Sequence, residues 1–224
     1  MGEAGVGESG VGESGVGDVT TETDATEYGA EVFRDWMAAA AAAVDREADR
    51  LTELDSAIGD ADHGANLKRG FAAVTAALEK DPQATPGAVL TAAGRQLIST
   101  VGGASGPLYG TLLRRTGKAL GDAERVSRAA LAEALTAGVA AVAQLGGAQP
   151  GDKTMLDALV PAAEGLATSF AAAREAAEAG ALGTVPLRAR KGRASYLGER
   201  SVGHQDPGAT SSALLVAALA EVTA

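Results

Sequence analysis

Apolar residues recur at intervals of three and four along most of the chain, which is the spacing of one face of an α-helix. The first such face is the series Tyr28, Val32, Trp36, Ala40 and Val44. Six more series follow, within 67–78, 89–97, 109–120, 131–142, 155–166 and 214–222. The pattern predicts about eight helices and no strands. It also predicts a short helix at Leu182–Ala194, after a long helix that Pro161 kinks.

Composition supports an all-α protein. The 224 residues include 52 alanines, while aromatic residues make up only 3%. Alanine is the best helix former, and aromatic and β-branched residues favour strands, so we expect helices that pack closely. Residues 1–25 differ from the rest, because their repeated GESGV unit has little to bury. We therefore expect a disordered Gly/Glu/Ser-rich tail at 1–25 and a helical domain at 26–224.

Charge excludes some classes of partner. The formal net charge is -10, which argues against general DNA or RNA binding because that needs a basic surface. The chain has no cysteine, so it has neither disulfides nor thiolate metal sites. It also lacks a run of 18 apolar residues and a basic segment followed by an apolar one at the N-terminus. We expect a cytoplasmic protein that binds neither nucleic acid nor a membrane.

The chemically rich residues lie in the breaks between the helices. Alternate loops of an antiparallel helical arrangement meet at the same end. Four such segments are 55–64, 102–107, 146–154 and 193–208. We expect them to share one end of the fold and to carry the function.

The first of these segments is acidic, with Asp55, Asp60 and Asp62 within eight residues and glycines between and after them. Oxygen ligands of this kind suit Mg²⁺, which usually takes one or two carboxylates together with substrate phosphates. The alternative is a solvated acidic loop, or an aspartate that caps the helix beginning near Gly64. An EF-hand is excluded, because its ligand order is missing.

The second segment runs from Gly102 through Gly103, Ala104 and Ser105 to Gly106, just before a helix. Free backbone N–H groups at a helix N-terminus bind anions, and glycines allow the anion to approach closely. Ser105 would cap the helix or donate to a phosphate. The alternative is an ordinary loop between helices.

The other two segments offer an apolar slot and cations. Met155 follows the Gly151–Thr154 turn and would line a slot for a base, although Asp152 or Thr154 would also serve as a helix cap. Arg193 suits a phosphate, although a solvated basic turn gives the same pattern. His63 and His204 lack the partners that a zinc site requires. Together the four segments indicate binding of a Mg-nucleotide and phosphoryl transfer.

At this level of detail the chain resembles the nucleotide-binding L subunit of dihydroxyacetone kinase over residues 26–224. Four motifs in the same order carry the resemblance: D-x3-GDADHG-x-N from Asp55, GGASGPLYG from Gly102, GDKTM-x-D from Gly151, and KGRASYLG-x-RS from Lys191 with Asp206-Pro207-Gly208. Ala61 and Leu67 stand where Gly and Met are common in the family. The resemblance implies an eight-helix antiparallel barrel with the nucleotide in the loops at one end.

The resemblance also implies roles for single residues. Asp55, Asp60 and Asp62 would be the catalytic residues and would hold two Mg²⁺ ions against the nucleotide phosphates. The nucleotide contacts that it implies are His63, Gly64, Asn66, Gly103, Ala104, Ser105, Gly146, Met155, Arg193, Asp206, Pro207 and Gly208.

Two modes of action exist in this family. In one, the chain keeps ADP as a fixed cofactor and relays phosphate from a phosphohistidine on an M subunit to dihydroxyacetone on a K subunit, as part of glycerol metabolism. In the other, ATP is an exchangeable substrate and the domain is fused to a K domain. The chain ends at Ala224 without a K domain, which favours the first mode. The alternatives are an ATP-dependent kinase subunit for dihydroxyacetone or another short polyol, and a nucleotide-loaded regulatory module.

Overall fold

The computed structural model describes residues 1–2 and 26–224. Apart from its first two residues, the predicted tail at 1–25 lies outside the described part. The described part contains eight α-helices and a 3-10 segment. The helices are α1 (Ala30–Ile58), α2 (His63–Lys80), α3 (Pro86–Thr100), α4 (Ser105–Leu120), α5 (Arg128–Gly146), α6 (Leu156–Leu166), α7 (Phe170–Gly183) and α8 (Pro207–Val222), and the 3-10 segment is Arg193–Ser201.

The helices form a closed ring. Each one packs against the next in the chain, and α8 packs against α1. Trp36 of α1 is buried and donates its indole N–H to the carbonyl of Leu215 in α8 at 2.8 Å, which joins the first helix to the last. The buried faces follow the predicted periodicity, so the prediction of an all-α fold is confirmed.

Small residues allow the close packing that the alanine content predicts. A Cβ at Gly117 of α4 would lie 2.5 Å from the carbonyl oxygen of Gly87 in α3, and one at Gly94 of α3 would lie 2.7 Å from that of Gly110 in α4. Real Cβ atoms do not come so near to backbone oxygens. The hairpin of α3 and α4 therefore depends on the absence of side chains at these positions.

Two details of the predicted secondary structure are wrong. A short antiparallel pair, β1 (Glu27–Gly29) with β2 (Arg125–Ser127), precedes α1 and α5, although no strands were predicted. Only three residue pairs form it, which is too short to give a period-two pattern. Tyr28 therefore lies in β1, and the first helix begins at Ala30.

The second error concerns residues 156–194. The predicted long helix is two helices, because Ser169 caps a new one by accepting from the N–H of Ala172 at 3.0 Å. The predicted helix at Leu182–Ala194 does not form. The carbonyls of Thr184 and Leu187 accept from Nζ of Lys153 instead of continuing a helix, and Pro186 has no N–H to donate.

Among the described helices, α5 is long and apolar enough to cross a bilayer, with a mean hydropathy of 1.4. It lies in the ring between α4 and α6 and buries Leu131, Leu135 and Val139. Length and composition alone are weak evidence here, because the core helices of soluble proteins pass the same test.

Candidate functional site

The four polar segments meet at one end of the barrel, around a cavity of about 560 Å³. Most of the residues singled out from the sequence line it: Asp55, Asp60, Asp62, His63, Gly103, Ala104, Ser105, Gly146, Met155, Arg193, Asp206, Pro207 and Gly208. Gly64 and Asn66 do not line it. The predicted meeting of alternate loops is therefore present in the structure.

Three carboxylates face each other at this end. Asp55 lies in the last turn of α1 and is buried, whereas Asp60 and Asp62 lie on the turn before α2 and are exposed. One oxygen of each lies within 4.8 Å of one oxygen of each of the others. This spacing allows a single divalent cation to contact all three.

Asp55 is held by the start of α2. Its Oδ2 accepts from the backbone N–H of Asp62 at 2.9 Å and from that of His63 at 3.2 Å. These N–H groups have no partner within the helix, and a carboxylate at a helix N-terminus is stabilised by the helix dipole. A Cβ at Gly59 would lie 2.0 Å from Oδ1 of Asp55, so a side chain there would displace this carboxylate.

His63 connects three elements of the site. Its Nε2 lies 2.8 Å from Oγ of Ser211 in α8, and its Nδ1 lies 3.2 Å from Oγ of Ser105 in α4. Ser211 donates its proton to the carbonyl of Pro207 at 2.9 Å, so we assign Nε2–H of His63 as the donor to Ser211 and Ser105 as the donor to Nδ1. Burial lowers the pKa of His63, against the opposing effect of Asp55 and Asp62, which is consistent with a neutral ring.

The glycine segment leaves the start of α4 without a side-chain cap. Ala104 occupies the N-cap position and offers no acceptor, while Gly103 has a φ of +65° and no atom within 4 Å of a built Cβ. The hydroxyl proton of Ser105 is engaged with His63. The groups that remain for an anion are therefore the first backbone N–H groups of α4.

The two predicted contacts that do not line the cavity lie behind it. A Cβ at Gly64 would lie 1.9 Å from the carbonyl oxygen of Ala48, so this glycine permits α1 and α2 to approach. The side chain of Asn66 lies behind Gly102, where a Cβ would be 3.3 Å from it, and its Oδ1 accepts from Arg69 at 2.7 Å. Their direct contact with a nucleotide stays a prediction.

The other side of the cavity is apolar. Met155 is buried, and Leu108, Val142, Leu145, Ala148 and Leu156 line the cavity with it. Gly146 lies in the same part, where a built Cβ would be 3.8 Å from Leu108 and from Ala148. The cavity thus has a carboxylate side and an apolar side, as a phosphate and a base require.

Arg193 lines the solvent-exposed edge of the cavity. Its Nη2 lies 2.9 Å from Oδ2 of Asp60, and both side chains are partly exposed. An ion pair of this kind contributes little to stability, because water screens it. It therefore leaves both groups available to a ligand.

Lys153 is a buried cation that the sequence reasoning did not select. It is 1% exposed, and its Nζ donates to the carbonyls of Thr184 at 2.9 Å, Leu187 at 3.1 Å and His204. Desolvation lowers the pKa of Lys153, against the effect of Asp206 and Asp157. The one signal in the sequence was a lysine within the Gly151–Met155 turn.

Asp206 is another buried ionisable side chain of this region. Its Oδ2 accepts from the N–H of Ala209 at 2.7 Å and so caps α8. The pKa of Asp206 is raised to about 7, chiefly by burial and also by nearby Asp157, although the hydrogen bond from Ala209 and the charge of Lys153 act against this rise. Lys153, through the carbonyl of His204, joins the loop 151–154 to the loop 203–208, and Asp206 holds the start of α8 beside them.

The chain matches the family model described as the DAK2 domain over residues 57–221. It is 45% identical, over 184 residues, to the ADP-binding subunit of the PEP-dependent dihydroxyacetone kinase of Escherichia coli K12. The match covers 78% of this chain and 88% of that protein. It is 42% identical to the corresponding subunit of kinase 2 of Listeria innocua, with 80% and 88% covered.

The fold matches a solved structure as well. The crystal structure of the dihydroxyacetone kinase from C. freundii with AMP-PNP and Mg²⁺ superposes with a TM-score of 0.68 at 25% identity. The match covers 96% of this chain but only 38% of that kinase chain. The chain therefore corresponds to a little over a third of that longer protein.

Proposed function

The chain belongs to the DAK2-domain family, and from this premise we propose that it is the ADP-binding subunit of a PEP-dependent dihydroxyacetone kinase, acting in the cytoplasm. The observation that carries the proposal is the convergence of three aspartates, an uncapped helix N-terminus and an apolar slot on one cavity. The relatives covered to 88% of their length are ADP-binding subunits of this kind. The chain is thus a phosphotransferase component.

The aspartates fit Mg²⁺. Asp55, Asp60 and Asp62 offer oxygen ligands within 4.8 Å, and the first is held in place by the start of α2. We propose that they hold two ions, which would neutralise charge on the nucleotide phosphates. The similar kinase whose structure contains AMP-PNP and Mg²⁺ supports a nucleotide together with magnesium.

We propose that the remaining residues of the cavity bind and orient the nucleotide. The first N–H groups of α4 would hold phosphate oxygens, with Gly103 allowing close approach and His63 fixing the position of Ser105. Met155 and its apolar neighbours would enclose the base, and Arg193 would leave Asp60 for the nucleotide. Phosphoryl transfer depends mainly on positioning and charge neutralisation, which suits a site without a nucleophile.

The residues of the cavity would hold ADP, and the chemistry that it would supply is to carry a phosphoryl group between two partner subunits. The donor that we propose is a phosphohistidine on a separate M subunit, and the acceptor is a hydroxyl of dihydroxyacetone held on a K subunit. The open mouth of the cavity beside Arg193 is where either partner would approach.

A second candidate is an ATP-dependent kinase subunit. The similar C. freundii chain is a longer dihydroxyacetone kinase solved with an ATP analogue, which favours this mode. The nucleotide content separates the two. The chain would be purified without added nucleotide and denatured, and the supernatant analysed by anion exchange. Near-stoichiometric ADP supports the relay, whereas an empty protein that binds Mg-ATP reversibly supports the second candidate.

The metal site is tested by Asp60→Ala, with Asp122→Ala as the matched control. Asp122 is also exposed but lies away from the site cavity. In an assay reconstituted with the K and M subunits, we expect Asp60→Ala to reduce turnover by at least about a hundredfold, because a metal supplies several kcal/mol of charge stabilisation. Turnover near that of the wild type would refute the proposed role, and nucleotide binding without any turnover in the wild type would indicate a regulatory module.

A further inference from the structure

A second concave surface lies away from the site. It is a groove of about 1060 Å³ along the outer face of α3, α4 and α5. Four exposed cations line it, Arg95, Arg114, Arg115 and Lys118, against the single carboxylate of Asp122. The groove is thus strongly positive in a chain whose net charge is -10.

These four cations have no ion-pair partner among the described residues. Seven cations elsewhere do form ion pairs, as Lys68 does with Asp45 at 2.6 Å and Arg174 with Glu178 at 2.8 Å. Like charges set side by side on one surface repel each other, and among the lining residues only the carboxylate of Asp122 offsets that repulsion. An acidic ligand would relieve it.

The chain itself contains such a ligand. Residues 3–25 carry six carboxylates and no lysine or arginine, and four of the carboxylates recur at intervals of five: Glu3, Glu8, Glu13 and Asp18. The proposed function makes no use of this segment. Its charge is opposite to that of the groove and exceeds it in magnitude.

The segment joins the described part of the chain beside the groove. It connects at Thr26 to β1, which pairs with β2 just after α4. Glu27 lines a small pocket together with Ala119 and Leu120, the residues that follow Lys118 on α4. The segment therefore enters at the end of α4 that carries the cations.

We propose that the groove of α3, α4 and α5 binds the acidic N-terminal segment, residues 3–25. A chain of 23 residues reaches at most about 80 Å, which exceeds the length of about 25 Å of a helix such as α4. Covalent attachment holds the segment at an effective concentration of about a millimolar, so weak attraction between charges is sufficient. This binding site is independent of the proposed function and of the nucleotide.

The test uses the full chain with one spin label. The chain has no cysteine, so Ser14→Cys provides a single attachment site within the repeat. We expect the label to broaden the amide signals of α3 and α4 along the groove at low salt. The broadening should be lost at 1 M salt, where the Debye length is about 3 Å.

Matched charge reversals make the test specific. Arg115→Glu with Lys118→Glu should abolish the broadening, and adding Glu13→Lys with Asp18→Lys should restore it. The control, Arg46→Glu with Lys80→Glu, reverses two other exposed cations and so changes the net charge by the same amount. It should leave the broadening of the amide signals unchanged. Broadening that is absent, or spread evenly over the barrel, would overturn the proposal. So would broadening seen only when labelled and isotope-enriched chains are mixed, because a second copy would then be the occupant.

Discussion

The loop end of the barrel and the hairpin of α3 and α4 both depend on glycine, but for different physical reasons. In the hairpin, a Cβ at Gly117 or Gly94 would meet a backbone oxygen of the facing helix within 2.7 Å. At the loop end, a Cβ at Gly103 would meet nothing within 4 Å, and its φ of +65° is what requires glycine. Gly94 and Gly117 are needed for space, whereas Gly103 is needed for its backbone conformation.

The two regions also use polar groups differently. The interface between the hairpin helices is close-packed backbone, whereas the loop end buries Lys153, Asp206 and His63. Burying ionisable groups costs free energy, which the hydrogen bonds of these side chains offset. We therefore expect the stability of the loop end to depend on pH and that of the hairpin to depend on volume.

The largest effect on stability that we expect comes from Asp206. Its pKa is about 7 in the folded chain and 3.8 ordinarily, so the folded state favours the protonated form. The stabilisation of the folded state by protonated Asp206 is fully present below about pH 4 and is lost as the pH rises through about 7. Between pH 4 and 8, the free energy of unfolding of the wild type should fall relative to that of Asp206→Asn by about 2 to 4 kcal/mol.

Urea unfolding of both proteins at several pH values measures this difference. Asn caps helices as well as Asp does, so the variant keeps the cap of α8 while it removes the titration. Parallel stability curves for the two proteins over this range would show that the buried carboxyl does not set the pH dependence. The pKa of Lys153 is lowered, so its own effect belongs at higher pH, between its lowered value and the ordinary 10.5.

The hairpin should respond next most strongly, to added volume. Gly117→Ala places a methyl group 2.5 Å from the carbonyl oxygen of Gly87 and should cost about 1 to 3 kcal/mol, because the helices must move apart. Gly183→Ala is the control, since Gly183 also lies in a helix but has nothing within 4 Å of a built Cβ. That change should be neutral or stabilising. If Gly117→Ala and Gly183→Ala change the free energy of unfolding in denaturant equally, the packing at the hairpin is not tight.

A pair of loop glycines separates backbone strain from binding. Gly103 and Gly121 have φ values of +65° and +64°, and neither has an atom within 4 Å of a built Cβ. Changing either to alanine should cost about 1 to 3 kcal/mol of stability, because both glycines have a positive φ that L-residues rarely adopt. Only Gly103→Ala should also weaken nucleotide binding, measured by calorimetry, because only Gly103 lies at the site cavity. An equal loss of affinity in Gly121→Ala would mean that strain alone, rather than contact with the phosphates, causes it.

Local patterns predicted most of the fold and much of the site. Helical spacing predicted the buried faces, and the antiparallel order of the helices predicted which loops meet, because both follow from the periodic pattern of apolar residues along the chain. The break at 184–192 depends on Lys153, which lies more than 30 residues earlier, so no local pattern shows it. The same applies to Asp55, whose partners at the start of α2 became clear only from the geometry.

The smallest effect concerns Ala61, a non-glycine residue with a positive φ. Its φ is +62°, a conformation that costs an L-residue about 1 to 2 kcal/mol. Ala61→Gly relieves this strain, but it also gives the unfolded chain more conformational freedom, which opposes the gain. We therefore expect the free energy of unfolding to rise by up to about 1 kcal/mol. The control is Ala57→Gly, four residues earlier on the exposed side of α1, which should lose about 1 kcal/mol because glycine weakens a helix. If both variants lose stability in urea unfolding, the turn between α1 and α2 stores no strain. The contrast between backbone conformation at the loop end and space at the hairpin would then depend on Gly103 alone.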